Sequence, residues 1–159
     1  MTINAIAILL SGVIVNFGLS SMLAQAQQQV SEAQVAAMVE ALRLAAPQTG
    51  IANDGLYSEW QVKPETLKGW SKYCLKKELT PTQFENSPAT ARQVVSCITR
   101  REFNKQFLAT NNETAAVRGV GCWWMTGSYT GCNSGFTATY LQKVVGFYQQ
   151  QRSKPATTP

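Results

Sequence analysis

Carboxylates and aromatic rings are the side chains of this sequence whose combination could carry out a reaction. Glycoside cleavage needs a carboxylic acid that an apolar setting keeps protonated, and aromatic faces on which sugar rings stack. The candidate acids are Glu40, Asp54, Glu59 and Glu65, and the candidate stacking surfaces are Tyr57, Trp60, Trp123, Trp124 and Tyr129. Each has an ordinary structural alternative, because carboxylates mostly stay in solvent and aromatic rings mostly enter the core.

Composition excludes or disfavours several other kinds of chemistry. The chain contains no His, which excludes a Ser–His or Cys–His nucleophile. The segment Gly119-Val120-Gly121 has neither a strand before it nor a phosphate-binding Lys after it. A zinc site would need all four cysteines at unusual spacings, so we expect no metal and no cofactor.

The charge balance also narrows the partners. The chain has 14 Lys and Arg against 9 Asp and Glu, but the basic residues are scattered. The local density of positive charge is too low for a nucleic-acid-binding arm, so we expect no nucleic acid partner. A mild basic excess suits an anionic surface such as a cell wall or membrane face, and it also fits an ordinary solvated surface.

The cysteines predict two disulfides. They are Cys74, Cys97, Cys122 and Cys132, and none belongs to a Cys-x-x-Cys pair. An even count in an exported chain is typical of a disulfide framework. Three connectivities are possible, and we favour Cys74–Cys97 with Cys122–Cys132 because each joins neighbours in the chain.

The amino-terminal segment predicts export. Residues 1–26 contain no charged side chain, and residues 3–23 are largely apolar. A small-x-small site at residues 24–26 predicts cleavage of a signal peptide before Gln27. No Lys or Arg precedes the apolar run, so an uncleaved anchor helix is the alternative. Either way we expect residues 27–152 to be secreted or periplasmic, with membrane contact only through this leader if it stays attached.

The remaining sequence predicts an all-α domain of about five or six helices, because apolar residues recur at helical spacing and nothing alternates as a strand for long. Caps and prolines mark where the helices begin and end. The predicted helices start at Ser31, Pro64, Thr80, Ser87, residues 111–113 and Thr137, and the first five end near Pro47, Lys77, Glu85, Leu108 and Gly127. Residues 153–159 are predicted to be a disordered tail.

Spacing within the later helices predicts which side chains are buried. In the fourth helix we expect Val94, Val95, Ile98, Phe103, Phe107 and Leu108 to be buried and Arg100, Arg101, Glu102 and Lys105 to be solvated. In the fifth helix, Gly119 and Gly121 each cost about 0.5–1 kcal/mol relative to Ala, which close helix packing would explain. Trp123 and Trp124 point about 100° apart on a helix, so we expect one in the core and the other partly exposed near Tyr129.

The order of these features resembles the soluble lytic transglycosylases, a bacterial lysozyme-like family. In that family a helix carries a catalytic Glu, and a Gly-Leu-Met-Gln-like segment leads to a Pro that opens the next helix. Here Gly55-Leu56 and the segment WQVKP at residues 60–64 take that place. The segment WWMTG at residues 123–127 resembles the family's Ala-Tyr-Asn-Ala-Gly-like segment, and YLQKVVGFY at residues 140–148 resembles its terminal helix. The resemblance covers about residues 33–150 and implies a compact lysozyme-like domain.

The resemblance also implies roles for single residues. Glu40 lies about the right distance before Gly55-Leu56 to be the one Glu that acts as general acid and then as base. Gln61 matches the family's Gln and is either a substrate contact or a brace for its loop. The family's catalytic Glu is followed at once by Ser, whereas Ala41 follows Glu40 here. Glu59 is the second candidate for the catalytic carboxylate.

Two functional hypotheses follow. The first is an exported, cell-wall-associated domain that binds or cleaves peptidoglycan glycan strands, as a lytic transglycosylase or a glycoside hydrolase. The second is the same scaffold without catalysis, a secreted or periplasmic binding or structural module that holds glycan or a protein partner, and the missing Glu-Ser pair favours it. Burial of Glu40 beside Trp60 or Tyr129 would support the enzyme. The predicted substrate contacts are Tyr57, Trp60, Gln61, Trp124 and Tyr129.

Overall fold

The described part of the chain folds into six helices. A computed structural model describes residues 29–51 and 53–155. The helices are α1 (Glu32–Ala45), α2 (Pro64–Leu75), α3 (Pro81–Glu85), α4 (Pro88–Thr110), α5 (Glu113–Thr126) and α6 (Gly135–Arg152). Between α1 and α2, Tyr57 and Val62 form an isolated antiparallel bridge. The predicted all-α class is confirmed, while the predicted leader at residues 1–26 and the last four residues of the predicted tail lie outside the described residues.

Capping residues and prolines begin most helices where the sequence predicts. Ser31 and Gln34 form a capping box at α1, and Thr80 and Gln83 form another at α3. Proline occupies the first position of α2, α3 and α4, where its missing N–H has no intrahelical partner to lose. These local signals therefore fix the helix starts that precede and follow the loop at residues 46–63.

Two predicted helix boundaries are wrong, one by three residues and the other by two. The last helix begins at Gly135, and the hydroxyl of Thr137 donates to the carbonyl of Ser134 instead of capping a later start. The second helix ends before Lys77, because Lys76 adopts a left-handed φ of 58°. A left-handed residue cannot continue a right-handed helix, so it ends the element there.

The helices share one main hydrophobic core. The first helix packs against α6 and α4, α5 packs against α4 and α6, and α2 and α3 lie on α4. The apolar face of α1 is buried, as are these predicted positions of α4: Val94, Val95, Ile98 and Phe103. Leu108 is 48% exposed instead, because it follows Phe103 by five residues and lies about 140° around the helix from it.

Gly119 and Gly121 allow α5 to approach its neighbours closely. A Cβ atom at Gly119 would lie 2.5 Å from Oε1 of Gln106 in α4. A Cβ atom at Gly121 would lie 2.9 Å from Cδ1 of Leu141 in α6. Cβ atoms essentially never come so close to another heavy atom, so a side chain at either position would require Gln106 or Leu141 to move. Close helix packing therefore accounts for both glycines, as predicted.

Both predicted disulfides are present. Cys74–Cys97 joins α2 to α4 with Cα atoms 6.0 Å apart, and Cys122–Cys132 joins α5 to the loop that follows it with Cα atoms 5.8 Å apart. Such bonds persist in oxidising compartments, so the pairing is consistent with an extracellular location. Within residues 29–51 and 53–155, no helix combines the length and apolar character needed to cross a bilayer.

Candidate functional site

The loop that precedes α2 is tightly held. Tyr57 and Val62 exchange two backbone hydrogen bonds of 3.0 and 2.9 Å, which close residues 58–61 into a turn. Ser58 and Gln61 adopt left-handed φ values of 62° and 54°, a region that non-Gly residues enter only with support from their surroundings. The Nε2 group of Gln61 supplies part of that support by donating to the Ser58 carbonyl over 3.1 Å. Gln61 therefore braces its own loop.

Trp60 anchors this loop in the core. Its side chain is 1% exposed, and its Nε1 group donates to the carbonyl of Val39 in α1 over 2.9 Å. The guanidinium carbon of Arg92 lies 5.3 Å from the ring centroid. Tyr57 is half-buried and packs against the same core. With so little free surface, Trp60 positions the loop and offers no open face to a sugar ring.

The two predicted catalytic residues, Glu40 and Glu59, belong to one charged network. Arg43 donates to Glu40 and, over 3.1 Å, to Glu59, while Arg92 donates to Glu40 over 3.2 Å. The hydrogen bond from Arg43 holds the pKa of Glu40 below its usual value, although partial burial opposes that shift. A general acid must carry a proton, whereas this network stabilises the ionised carboxylate. Its geometry ties the loop to α1 and α4.

The other two candidate acids also lack an apolar setting. Asp54 accepts hydrogen bonds from the Thr49 hydroxyl and, over 2.9 Å, from the Leu56 N–H, and these bonds lower its pKa. Such bonds are typical of an aspartate in a turn. Glu65 is exposed in the first turn of α2, where the helix dipole favours its negative charge. Both carboxylates are explained by local structure.

Three tryptophans meet where α2 faces the end of α5. The ring centroid of Trp70 lies 5.9 Å from that of Trp123, with the ring planes 22° apart, and 4.9 Å from that of Trp124. All three side chains are half-buried and line a cleft of about 430 Å³, here called the tryptophan cleft. The prediction that one of Trp123 and Trp124 enters the core and the other lies near Tyr129 is confirmed in part. Trp124 packs against the main core and Trp123 stacks with Tyr129, but both rings are only half-buried.

The wall of the tryptophan cleft is mostly apolar. Its remaining lining includes Leu56, Val62 and Met125, with polar groups from Gln61, Thr66 and Lys63. Lys63 is the one charged side chain among the lining residues that the structure describes, and no Asp or Glu is among them. Apolar walls with a few hydrogen-bonding groups are typical of small-molecule sites.

Tyr129 extends the row of rings beyond Trp123. The two ring centroids lie 6.4 Å apart with the planes at 22°, and the Tyr129 hydroxyl donates to Glu102. Burial and then the bond to Glu102 raise the pKa of Tyr129, so the phenol keeps its proton. Trp70, Trp123 and Tyr129 are each half-buried, so every ring of this row keeps part of its surface open to solvent.

The prediction that Glu102 is solvated is wrong. Glu102 is 4% exposed and accepts hydrogen bonds from Arg101 and Tyr129. A buried carboxylate needs such partners, because an isolated charge is costly to remove from water. The sequence does contain a signal, since Glu102 follows the buried Ile98 by four residues and Val94 by eight, on one face of α4. Its role is to fix the Tyr129 ring beside Trp123.

The assembled geometry is suited to binding. The structure brings Trp124 and Tyr129 into one aromatic surface with Trp70 and Trp123, while Trp60 lies beneath it as an anchor. Among residues 29–51 and 53–155, no three His, Cys, Asp or Glu side chains could hold a metal ion together. The surface supplies apolar stacking and a few hydrogen-bonding groups, without a carboxylate in the tryptophan cleft.

No family model, curated protein or solved structure matches the chain. Fold and site together define a disulfide-linked, all-α domain with an aromatic cleft. The resemblance to lytic transglycosylases stays a prediction from sequence.

Proposed function

We propose that this protein is an exported, non-catalytic module that binds the glycan strands of peptidoglycan in the tryptophan cleft. The observation that carries the proposal is the cleft itself, in which Trp70, Trp123 and Trp124 are half-buried around about 430 Å³. Half-buried indoles present apolar surface to the C–H face of a pyranose ring. Thr66 and Gln61 at the wall supply hydrogen-bonding groups for sugar hydroxyls.

Binding without cleavage is favoured by where the carboxylates lie. Neither Glu40 nor Glu59 lines the tryptophan cleft, and both are paired with Arg43. The lowered pKa of Glu40 is the opposite of what protonation of a glycosidic oxygen needs. The family resemblance supports a glycan ligand, and the two disulfides together with the predicted leader support an exported location.

Co-sedimentation with insoluble peptidoglycan tests the proposal. The oxidised protein is expected to pellet with the polymer, and Trp123→Ala or Trp70→Ala is expected to weaken binding by up to about tenfold, because a stacking face is removed. Phe136→Ala is the matched control, because Phe136 is an aromatic residue that is 65% exposed and outside the cleft. Its binding is expected to equal that of the unchanged protein.

Mass spectrometry of the supernatant tests the absence of catalysis in the same samples. No soluble fragments are expected. Fragment release that disappears in Glu40→Gln or Glu59→Gln would establish an enzyme and identify its acid. If no fragments are released and the protein does not sediment with the polymer, the glycan assignment is overturned.

A further inference from the structure

A row of cations borders the aromatic surface. The Lys105 ammonium lies 5.1 Å from the ring centroid of Tyr129, and the Arg101 guanidinium carbon lies 4.7 Å from that of Tyr73. Lys76 approaches the same Tyr73 ring to 5.5 Å. Lys76, Arg101 and Lys105 are here called the cationic strip. Trp70, Trp123 and Tyr129 are here called the ring row. Tyr129 lies beside Lys105 and also stacks with Trp123, so the cationic strip and the ring row form one continuous surface.

The strip keeps an excess of positive charge. The acidic group that pairs with the strip is Glu102, which is 4% exposed and bonded to Arg101 and Tyr129. Every other ion pair among the described residues joins groups outside the strip, and Lys76 and Lys105 take part in none of them. At the other side of the ring row, Lys63 lines the tryptophan cleft and is likewise outside those ion pairs.

Cations flanking stacked rings match one kind of glycan better than another. A neutral sugar polymer uses the rings but gains nothing from the ammonium groups. A glycan that carries carboxylates uses both, since its ring faces meet Trp123 and Tyr129 while its carboxylates meet ammonium groups. A Lys held over an aromatic ring is also partly ordered before binding, which reduces the conformational freedom it loses when it meets an anion.

We infer that the tryptophan cleft and the cationic strip together select carboxylate-bearing glycans over neutral ones, with Lys105 receiving a carboxylate beside Tyr129. This inference rests on the proposed glycan binding and names the chemistry of the preferred strand. Charge complementarity carries it, because Lys105 lies over the Tyr129 ring and Glu102, the acidic partner of Arg101, is buried. The exposed ammonium groups act in water, so the preference weakens as salt rises.

Two forms of one polymer test the inference. Peptidoglycan sacculi are divided, and in one half the carboxylates are converted to neutral amides with a carbodiimide and ethanolamine. The oxidised protein is expected to bind untreated sacculi more tightly, by about fivefold for each carboxylate that pairs with an ammonium group. Added NaCl is expected to weaken binding to the untreated half and to leave binding to the amidated half almost unchanged.

Substitutions assign the carboxylate-binding role to Lys105. Lys105→Gln is expected to weaken binding to untreated sacculi by about fivefold and to leave binding to amidated sacculi unchanged, whereas Lys105→Arg keeps the charge and the affinity. Lys143→Gln is the matched control, since Lys143 is exposed on α6 and outside the ion pairs of the described residues.

The possible failures are distinguishable. Equal binding to both halves would overturn the selection for carboxylates and leave glycan binding intact. A preference for untreated sacculi that Lys105→Gln does not reduce would overturn the role of Lys105. Binding to neither half would overturn the proposed function as well.

Discussion

The charged network around Glu40 and the tryptophan cleft both border the loop that precedes α2. The network is built from ionised side chains, whereas the cleft is built mostly from apolar ones. The network pairs the carboxylates of Glu40 and Glu59 with two guanidinium groups, whereas the cleft has Lys63 as its one charged side chain among the described lining residues. Acid catalysis on a sugar needs a carboxyl group and an apolar setting in one place. The buried Trp60 belongs to both regions, because Arg92 lies over its ring and Trp60 is also among the residues that line the cleft.

That separation shows why proximity in sequence is a weak guide to a site. Glu59 and Trp60 are adjacent in the chain, but the Glu59 side chain is 55% exposed in the network while Trp60 is 1% exposed in the core. Adjacent residues of a tight loop point to different surroundings. The carboxylate that does support the aromatic surface is Glu102, 42 residues further along the chain than Trp60 and in another helix.

The largest effect is expected at the residue that the two regions share. Trp60→Ala removes a fully buried ring and the bond to the Val39 carbonyl, so the free energy of unfolding is expected to fall by about 3–5 kcal/mol. Urea denaturation measures this decrease. Trp60→Phe keeps most of the packing and should be less destabilised, and a decrease below about 1 kcal/mol for Trp60→Ala would contradict the anchoring role.

A smaller effect is expected at the carboxylate that serves the aromatic surface. Glu102→Ala removes the buried acceptor of the Tyr129 hydroxyl and of Arg101, at an expected cost of about 2 kcal/mol in unfolding free energy. The near-UV circular dichroism of the ring row should change as Tyr129 is released from Trp123. Glu65→Ala, at an exposed carboxylate, is the control and should stay within about 0.5 kcal/mol of the unchanged protein.

The smallest effect is expected in the charged network. Glu40→Gln should lower the free energy of unfolding by less than about 1 kcal/mol at neutral pH and leave glycan binding unchanged, because partly exposed ion pairs are weak. The pKa of Glu40 is lowered in the folded protein. Its contribution is therefore present above the ordinary carboxyl pKa and is lost as the pH falls through the folded value.

The pH dependence gives this prediction a second readout. Urea denaturation of both proteins across the acidic range should show their stability difference shrinking toward zero as the pH falls. A difference that grows on acidification would mean that Glu40 carries a proton in the folded protein, as a general acid would. That result would contradict the view that the charged network around Glu40 holds only ionised carboxylates and that, like the tryptophan cleft, it supplies no acid.

Local signals made much of the fold predictable. The capping box of Ser31 and Gln34 satisfies backbone N–H groups at the start of α1. The prolines at the starts of α2, α3 and α4 have no N–H group that could be left unpaired. Both effects act within a few residues. Each disulfide joins cysteines that are neighbours in the chain. These features depend little on how distant elements pack, so the sequence alone indicates them.

The site depended on packing between distant elements, which no local pattern contains. Whether Trp123 and Trp124 both reach the cleft depends on where α2 places Trp70, more than 50 residues earlier in the chain. The burial of Glu102 depends on Tyr129, 27 residues later, because without that partner the carboxylate would stay in water. Helical spacing could have placed Glu102 on the buried face, but it could not have supplied the phenol that bonds it.

The disulfide between Cys122 and Cys132 has a consequence for preorganisation. It closes a covalent ring over a sequence separation of 10 residues, and Tyr129 lies inside that ring. A cross-link across a loop of that size restricts the unfolded chain and stabilises the fold by on the order of 3 kcal/mol. In the folded, oxidised protein the same covalent ring limits how far the Tyr129 loop can move before any ligand arrives. A ligand meets rings already aligned, and the reduced chain, with the same residues, would have to align them during binding.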